Sequence, residues 1–327
     1  MKKIKINFVD FFKGFNKNEN EFIDILKEKY NVELSDNPEY LFYSSFGYEH
    51  LNYSCIRIFY TGECETPNFN ECDYAIGFDR LTFGDRYQRV PLYMLFQYKK
   101  DFLELINRKA YSNKNIKNKK FCNFIYSNCF AQDKRTEIFH LLNKYKTVDS
   151  GGRYLNNIGG AINNKRNFQE NYKFSIAFEN TTYNGYTTEK ITEAFVAGTI
   201  PIYYGDPLIT EDFNENAFIN CHQYRNFYEV VERVKEIDQN DELFFKILNT
   251  PPVKIEYLSL HDFLYHIIEL PYTDCFRRPI SRRSQAYEEM LKRHTFFESK
   301  IYPFYQKTKN LIQRFKTGTI LTSRRKL

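Results

Sequence analysis

No tryptophan occurs in the 327 residues, so the aromatic load falls on 32 Phe and 27 Tyr. That balance reads as a Phe-rich core with Tyr at its polar margin. No stretch approaches the ~20 apolar residues that a membrane-spanning helix needs. The seven cysteines, at 55, 64, 72, 122, 129, 221 and 275, form no Cys-x-x-Cys pair and are odd in number. This argues against a zinc site and a disulfide framework and for reduced thiols in a cytosol. The six histidines offer no pair at i, i+4 spacing; the closest, His261 and His266, are five apart. No metal centre is expected from them. Internal repeats and low-complexity runs are missing too. The opening MKKIKINFVDFF is basic, but it alternates and meets Asp10, so it reads as a first strand and not as a signal peptide.

What is present is a globular chain of modest charge. A net +6 suits an anionic small molecule or an anionic membrane surface. The Lys and Arg are dispersed and carry no nucleic-acid motif, which argues against nucleic-acid binding. The length suits two domains of about 150 residues. Lys5–Val9, Tyr40–Tyr43, Ile56–Tyr60, Tyr74–Phe78 and Phe121–Tyr126 read as strands. Glu19–Tyr30 reads as a helix capped by Asn18, with Glu21 completing a capping box. Tyr98–Arg108 and Lys134–Tyr145 read as helices, and Lys114–Lys120 as a basic loop. Strands alternating with helices predict parallel α/β sheets. The division expected is an N-terminal α/β domain over residues 1–110, a second over 111–270, and C-terminal helices with a basic tail over 271–327.

The densest segment is Phe174–Pro207, FSIAFENTTYNGYTTEKITEAFVAGTIPIYYGDP. Phe174–Phe178 has strand length, and Glu179–Gly185 carries turn chemistry. Thr187 is placed to N-cap a helix, and Gly198 stands where a C′ glycine belongs. Ile191, Ala194 and Phe195 share one helical face. Ile200–Tyr204 is the next strand. In such units ligands sit beyond the carboxyl ends of strands, where helix N-termini point outward. Lys190 lies in the first helical turn, where a cation costs roughly 0.3–1 kcal/mol against the macrodipole. A helix N-terminus plus a lysine makes an anion site suited to a diphosphate; taken alone, the lysine is equally a solvated one on an exposed turn.

The elements E-N, G-Y-x-T-E-K and I-P-I-Y-x-G of this segment resemble, in order and spacing, the signature of the α-1,3-fucosyltransferases, glycosyltransferase family 10. A second block, IFYTGECETPNFNECDYAIGFDRLTFGDRYQRVPLYM from Ile58 to Met94, is similar to the bacterial members. The resemblance covers roughly residues 56–225. It implies a GT-B fold, two Rossmann-like domains facing across a cleft. It implies an inverting transfer of L-fucose from GDP-fucose to the 3-hydroxyl of GlcNAc or Glc, in an N-acetyllactosamine- or lactose-like acceptor, giving a Lewis-type product. Carried over residue by residue, Glu63 is the general base. Arg135 and Lys190 hold the diphosphate, and Asn180, Tyr186 and Glu189 surround the ribose and fucose. Ser127 and Asn128 belong to a phosphate loop. Where the family commonly reads Y-V-T-E-K, this chain has Tyr186-Thr187-Thr188-Glu189-Lys190. No Asp-x-Asp occurs, so the metal-diphosphate device of many glycosyltransferases is missing and no cofactor or essential metal is expected. Animal members carry an N-terminal membrane anchor; this chain reads as a bacterial, cytoplasmic protein without one. The other readings are a related GT-B transferase with a different nucleotide sugar, or a non-catalytic nucleotide- or glycan-binding protein. From Ser299 to Leu327 there are eight Lys or Arg and no Asp or Glu, beside one helical face of Ile301, Phe304, Thr308, Leu311, Ile312 and Phe315. This segment either lies on the inner face of an anionic membrane or packs back on a domain.

Overall fold

The burial of the first strand on both faces sets the architecture of the N-terminal half. In β1 (Lys2–Val9), Ile4, Ile6 and Phe8 face one core, while Val9 turns to the opposite face with Leu41 and Phe59. The computed structural model describes residues 1–111, 118–127, 134–270, 285–305 and 307–308. Its first sheet joins β1 to β2 (Tyr30–Leu34), β3 (Tyr40–Tyr43), β4 (Ile56–Tyr60), β5 (Tyr74–Gly77) and β6 (Tyr87–Arg89), in the order β2-β1-β3-β4-β5-β6. Every pairing is parallel. A parallel sheet is buried on both faces, and the run of buried residues through β3 and β4 is its sequence mark.

Helix α1 spans Glu21–Lys27, shorter than the expected Glu19–Tyr30, and its cap is Asn20, not Asn18. The Asn20 carboxamide accepts from the Ile23 amide at 3.1 Å. Glu21 does not turn back on the cap: it accepts from the Phe96 amide at 2.6 Å and pairs with Lys99 at 3.2 Å. Tyr30, expected at the helix end, instead opens β2 opposite Lys2. Tertiary pairing with β1 overrides the short segment's helical pattern. Helix α2 spans Lys99–Ile106.

The second sheet contains β7 (Lys120–Phe124), β8 (Val148–Ser150), β9 (Tyr172–Phe178), β10 (Ile200–Tyr204) and β11 (Ile219–Asn220), ordered β11-β10-β9-β7-β8 and again parallel. Its helices are α3 (Lys134–Asn143), α4 (Lys165–Gln169), α5 (Glu189–Val196), α6 (Phe227–Asp238) and α7 (Asp241–Asn249). Gly198 closes α5 in the left-handed region, at φ +64°, as a C′ glycine does. Helix α8 (His261–Glu269) returns to the first half. Its Phe263, Leu264, Ile267 and Ile268 share a core with Ile4 and Phe22, and Tyr265 donates to the Ile25 carbonyl at 3.1 Å. Helix α9 (Gln285–Phe296) follows. Most of the predicted Lys114–Lys120 loop, and the tail from residue 309, lie outside the described residues.

The same core runs through both halves, because Ile191, Ala194 and Phe195 of α5 pack with Tyr93 and Phe102 of the first half. Asp212, fully buried after β10, clamps the joint. It accepts from Arg80 at 2.8 Å, Arg89 at 2.5 Å and the Tyr93 hydroxyl at 2.9 Å. The two sheets thus face each other across a cleft at the carboxyl ends of β4 and β9. The fold is α/β, of the two-sheet GT-B kind.

Candidate functional site

The carboxyl end of β9 runs into Glu179, and this residue organises the site. Its side chain is fully buried. One oxygen accepts from the Thr188 amide at 2.8 Å; the other accepts from the Thr188 hydroxyl at 2.7 Å and from Lys190 Nζ at 3.0 Å. Glu179 therefore does for α5 what a capping side chain does elsewhere: it satisfies an N-terminal amide and sets a negative charge against the helix dipole. The cap position itself is Thr188, and its hydroxyl makes no capping bond. Thr187, the expected cap, turns its hydroxyl to Asp206 at 3.1 Å. Gly205 makes room for this, since a Cβ there would stand 2.4 Å from Glu179 Cγ.

Lys190 is mostly buried between two acids, with Glu179 at 3.0 Å and Glu189 at 3.6 Å. Burial alone pulls an ammonium down, but the two carboxylates outweigh it and hold Lys190 above its ordinary value. It stays charged. Of its three donors, Glu179 and Thr188 take two, which leaves one for a ligand. Burial raises Glu189, yet Lys190 and Lys165 hold it below its usual value, so it stays ionised at neutral pH.

Arg135, at the start of α3, is buried. One nitrogen donates to the Phe178 carbonyl and to Asn180 Oδ1, each at 2.8 Å. Its guanidinium stacks over Tyr126 at 4.2 Å, and its Nε is buried without a partner among the described residues. Arg135, Asn180, Glu189 and Lys190 line one pocket of about 210 Å³, together with Ser127 and Lys165. Asn128 lies outside the described residues.

Glu63 comes from the other half. It follows β4, and its amide donates to Thr61 Oγ1 at 3.0 Å. The carboxylate is exposed and lines a cavity of about 820 Å³. Tyr186 stands between the two halves, its ring edge-on to Phe78 at 5.1 Å. Burial first, then the charges of Glu179 and Glu63, push its hydroxyl up, with Lys190 opposing. Tyr98, on the wall of the large cavity, is raised by burial and by Glu189. Tyr186 thus feels charges of both halves, Glu63 and Lys190, and Tyr98 feels Glu189 from the wall of the large cavity. Among the described residues no group of three or more His, Cys, Asp or Glu is placed to hold a metal ion.

Two residues of the site escape sequence reasoning. Glu179 reads as the start of a polar turn, although it opens the E-N element. Lys165 lies on a separate helix, α4, and reaches the pocket only through folding. It pairs with Glu193 and bears electrostatically on Glu189.

Residues 6–96 match the model of the α-(1,3)-fucosyltransferase FucT N-terminal domain, and residues 115–249 that of the glycosyltransferase family 10 (fucosyltransferase) C-terminal part. The chain is 34% identical over 265 residues to the α-(1,3)-fucosyltransferase FucT of Helicobacter pylori. The match takes in 70% of this chain and 55% of that protein's length. A crystal structure of an α1,3-fucosyltransferase with GDP superposes with a TM-score of 0.71 at 30% identity, over 85% of this chain and 93% of that one. One with GDP-fucose gives 0.69 at 29%, over 84% and 94%.

Proposed function

The chain belongs to glycosyltransferase family 10, the α-1,3-fucosyltransferases, and from that premise we propose that it transfers L-fucose from GDP-β-L-fucose to the 3-hydroxyl of a GlcNAc or Glc unit in a glycan, with inversion. The observation that carries this reading is the pairing of a cation-lined pocket, with Arg135, Lys165 and Lys190, and an exposed carboxylate, Glu63, across one cleft.

The roles follow from the charges. Glu63 takes the proton from the acceptor hydroxyl as its oxygen forms the bond to fucose C1. Attack comes from the face opposite the diphosphate, so the β-linked donor gives an α-linked product. The C1–O bond to the diphosphate breaks, and its electron pair leaves with GDP. Lys190 and Arg135 neutralise that growing negative charge, with Lys165 beside them. Glu179 touches no substrate in this scheme; it positions Lys190. Asn180 and Arg135 form one hydrogen-bonded unit at the pocket wall, and Glu189 and Tyr186 face the sugar and ribose. Two fixed cations on the leaving group make the transfer independent of a metal ion.

The protein is read as cytoplasmic, with the basic tail from Ser299 in contact with an anionic membrane face. The five described cysteines are all free thiols, and Ile301 and Phe304 are exposed at the start of the tail's apolar face, which supports this. No helix among the described residues is long and apolar enough to cross a membrane.

The test is a panel of nucleotide sugars with N-acetyllactosamine and lactose, run with and without chelator. GDP-fucose should be turned over in preference to every other donor, with chelator making no difference. Preference for another donor, or a loss of activity that added metal restores, refutes the scheme.

A further inference from the structure

The cavity that Glu63 lines is far larger than the cation pocket, about 820 Å³ against 210 Å³. That size encloses a ligand of several rings, not one. Its walls are of two kinds. Phe11, Phe12, Phe15, Phe46 and Phe96 supply flat apolar faces, and Phe12 and Phe46 are about half exposed. Such faces suit the C–H surfaces of pyranose rings.

The polar part of the lining is acidic. Glu21 is paired with Lys99, and Glu28 lies against His261. Among the described residues Glu19 has only the neutral Asn16 amide, at 3.2 Å, and it and Asp24 are exposed at the cavity. Glu63 adds a third carboxylate. Among the described residues Lys99 is the one Lys or Arg of this lining, and Glu21 holds it. The cations of the cleft stand instead around the donor pocket. A neutral sugar gives its hydroxyls to such carboxylates as hydrogen-bond donors. A carboxylate or sulfate on the ligand meets like charge, and the lysine of the lining is already held by Glu21.

We propose that this cavity holds the acceptor as a neutral oligosaccharide and rejects glycans that carry a carboxylate or sulfate. The proposal rests on the fucosyl-transfer reading for the cavity's role and adds the chemical class of its ligand. Glu19 and Asp24 set the selectivity; neither is assigned to the chemistry.

The test uses the full chain, N-acetyllactosamine, and the same disaccharide extended by a terminal sialic acid. At low salt kcat/KM should be roughly tenfold or more lower for the sialylated acceptor. The gap should narrow as salt rises, because exposed charges are screened beyond about 8 Å at physiological ionic strength. Asp24→Lys, and separately Glu19→Gln, should move the ratio of the two acceptors toward one. The ratio is read within each variant, so a partly unfolded preparation does not disturb it. Saturation-transfer NMR of each glycan on the protein without donor reads the same preference independently of turnover. Failure of GDP-fucose turnover with glycan binding still selective would count against the fucosyl-transfer reading alone. Equal kcat/KM and equal binding at low salt, or a gap that neither salt nor Asp24→Lys changes, would overturn the proposal.

Discussion

Glu63 and Lys190 carry opposite charges on opposite walls of the cleft, and their substitutions separate two steps. Glu63→Gln keeps the shape but removes the proposed base. Turnover should fall by about 10²-fold or more while GDP affinity holds. Near-normal turnover in this variant would exclude Glu63 as the base. Lys190→Ala should weaken GDP binding by about 1.5–3 kcal/mol, because the lost contact is charge-assisted. It also leaves the buried Glu179 without its ion pair, so melting should be followed in parallel with GDP titration. Gly205 belongs at this scale too. Gly205→Ala drives a methyl into the Glu179 methylene, which is fixed by Thr188 and Lys190 and cannot swing aside. Overpacking of this kind costs about 1–3 kcal/mol. The variant should melt lower and bind GDP more weakly; unchanged melting and unchanged affinity would show that Glu179 relocates freely.

Among the elements, the end of α6 ties α3 to β9. Asp238 holds Lys146 just beyond α3, Lys173 of β9 at 3.2 Å, and the Tyr145 hydroxyl at 3.0 Å. Burial raises its carboxyl, but the two lysines outweigh this and set it below the ordinary value of 3.8. A depressed carboxyl stabilises the fold above its unfolded pKa and loses that contribution as pH falls through the folded value. The stabilisation should thus be complete at neutral pH and fade below about pH 4. Asp238→Asn should lower the melting temperature at pH 7, with the difference from the parent shrinking on acidification. A difference that stays constant down to acid unfolding would argue that packing, and not charge, gives Asp238 its effect.

For the whole molecule the joint between the sheets is the sensitive place. Asp212 accepts from Arg80, Arg89 and Tyr93, all of the first half. Asp212→Asn takes the counter-charge from the partly buried Arg89 guanidinium, while Arg80 keeps Glu211 at 2.7 Å, at a cost of about 3 kcal/mol. Because the same joint sets the half that carries Glu63 against the half that carries Lys190, the proposed scheme expects kcat to fall along with the denaturation midpoint. A midpoint like that of the parent would show that α5 packing holds the halves without Asp212. The proposed membrane contact of the tail belongs to this scale as well. Truncation at residue 316 removes Arg324, Arg325 and Lys326, each contributing about 1 kcal/mol near an anionic surface. Binding to anionic liposomes at low salt should weaken while transfer to soluble acceptors is retained. Indifference of the full chain to such liposomes would end the membrane reading.

Much of this molecule was legible before folding. The periodicity of Phe174–Pro207 determined a strand, a turn, a helix ended by Gly198 and a second strand, and β10 matches its predicted span. The strands at Tyr40–Tyr43 and Ile56–Tyr60 were equally plain, because continuous apolar runs of that length are what a doubly covered parallel strand requires. Arg135, Asn180, Glu189 and Lys190 were also named from local motifs, and folding brings them to one pocket. Tertiary structure alone decided the rest. Tyr30 became a strand because β1 offered it a partner. Asn20 took the cap from Asn18, and Glu21 was drawn to Phe96 and Lys99, 75 or more residues away. Glu179 supplied the capping side chain for α5, Lys165 joined the cation pocket, and α8 crossed back to the first sheet. The reason is common to all of these. Periodicity and capping are interactions of neighbours in sequence, whereas an ion pair, a strand partner or a cavity wall depends on which distant residue the packed core sets beside it.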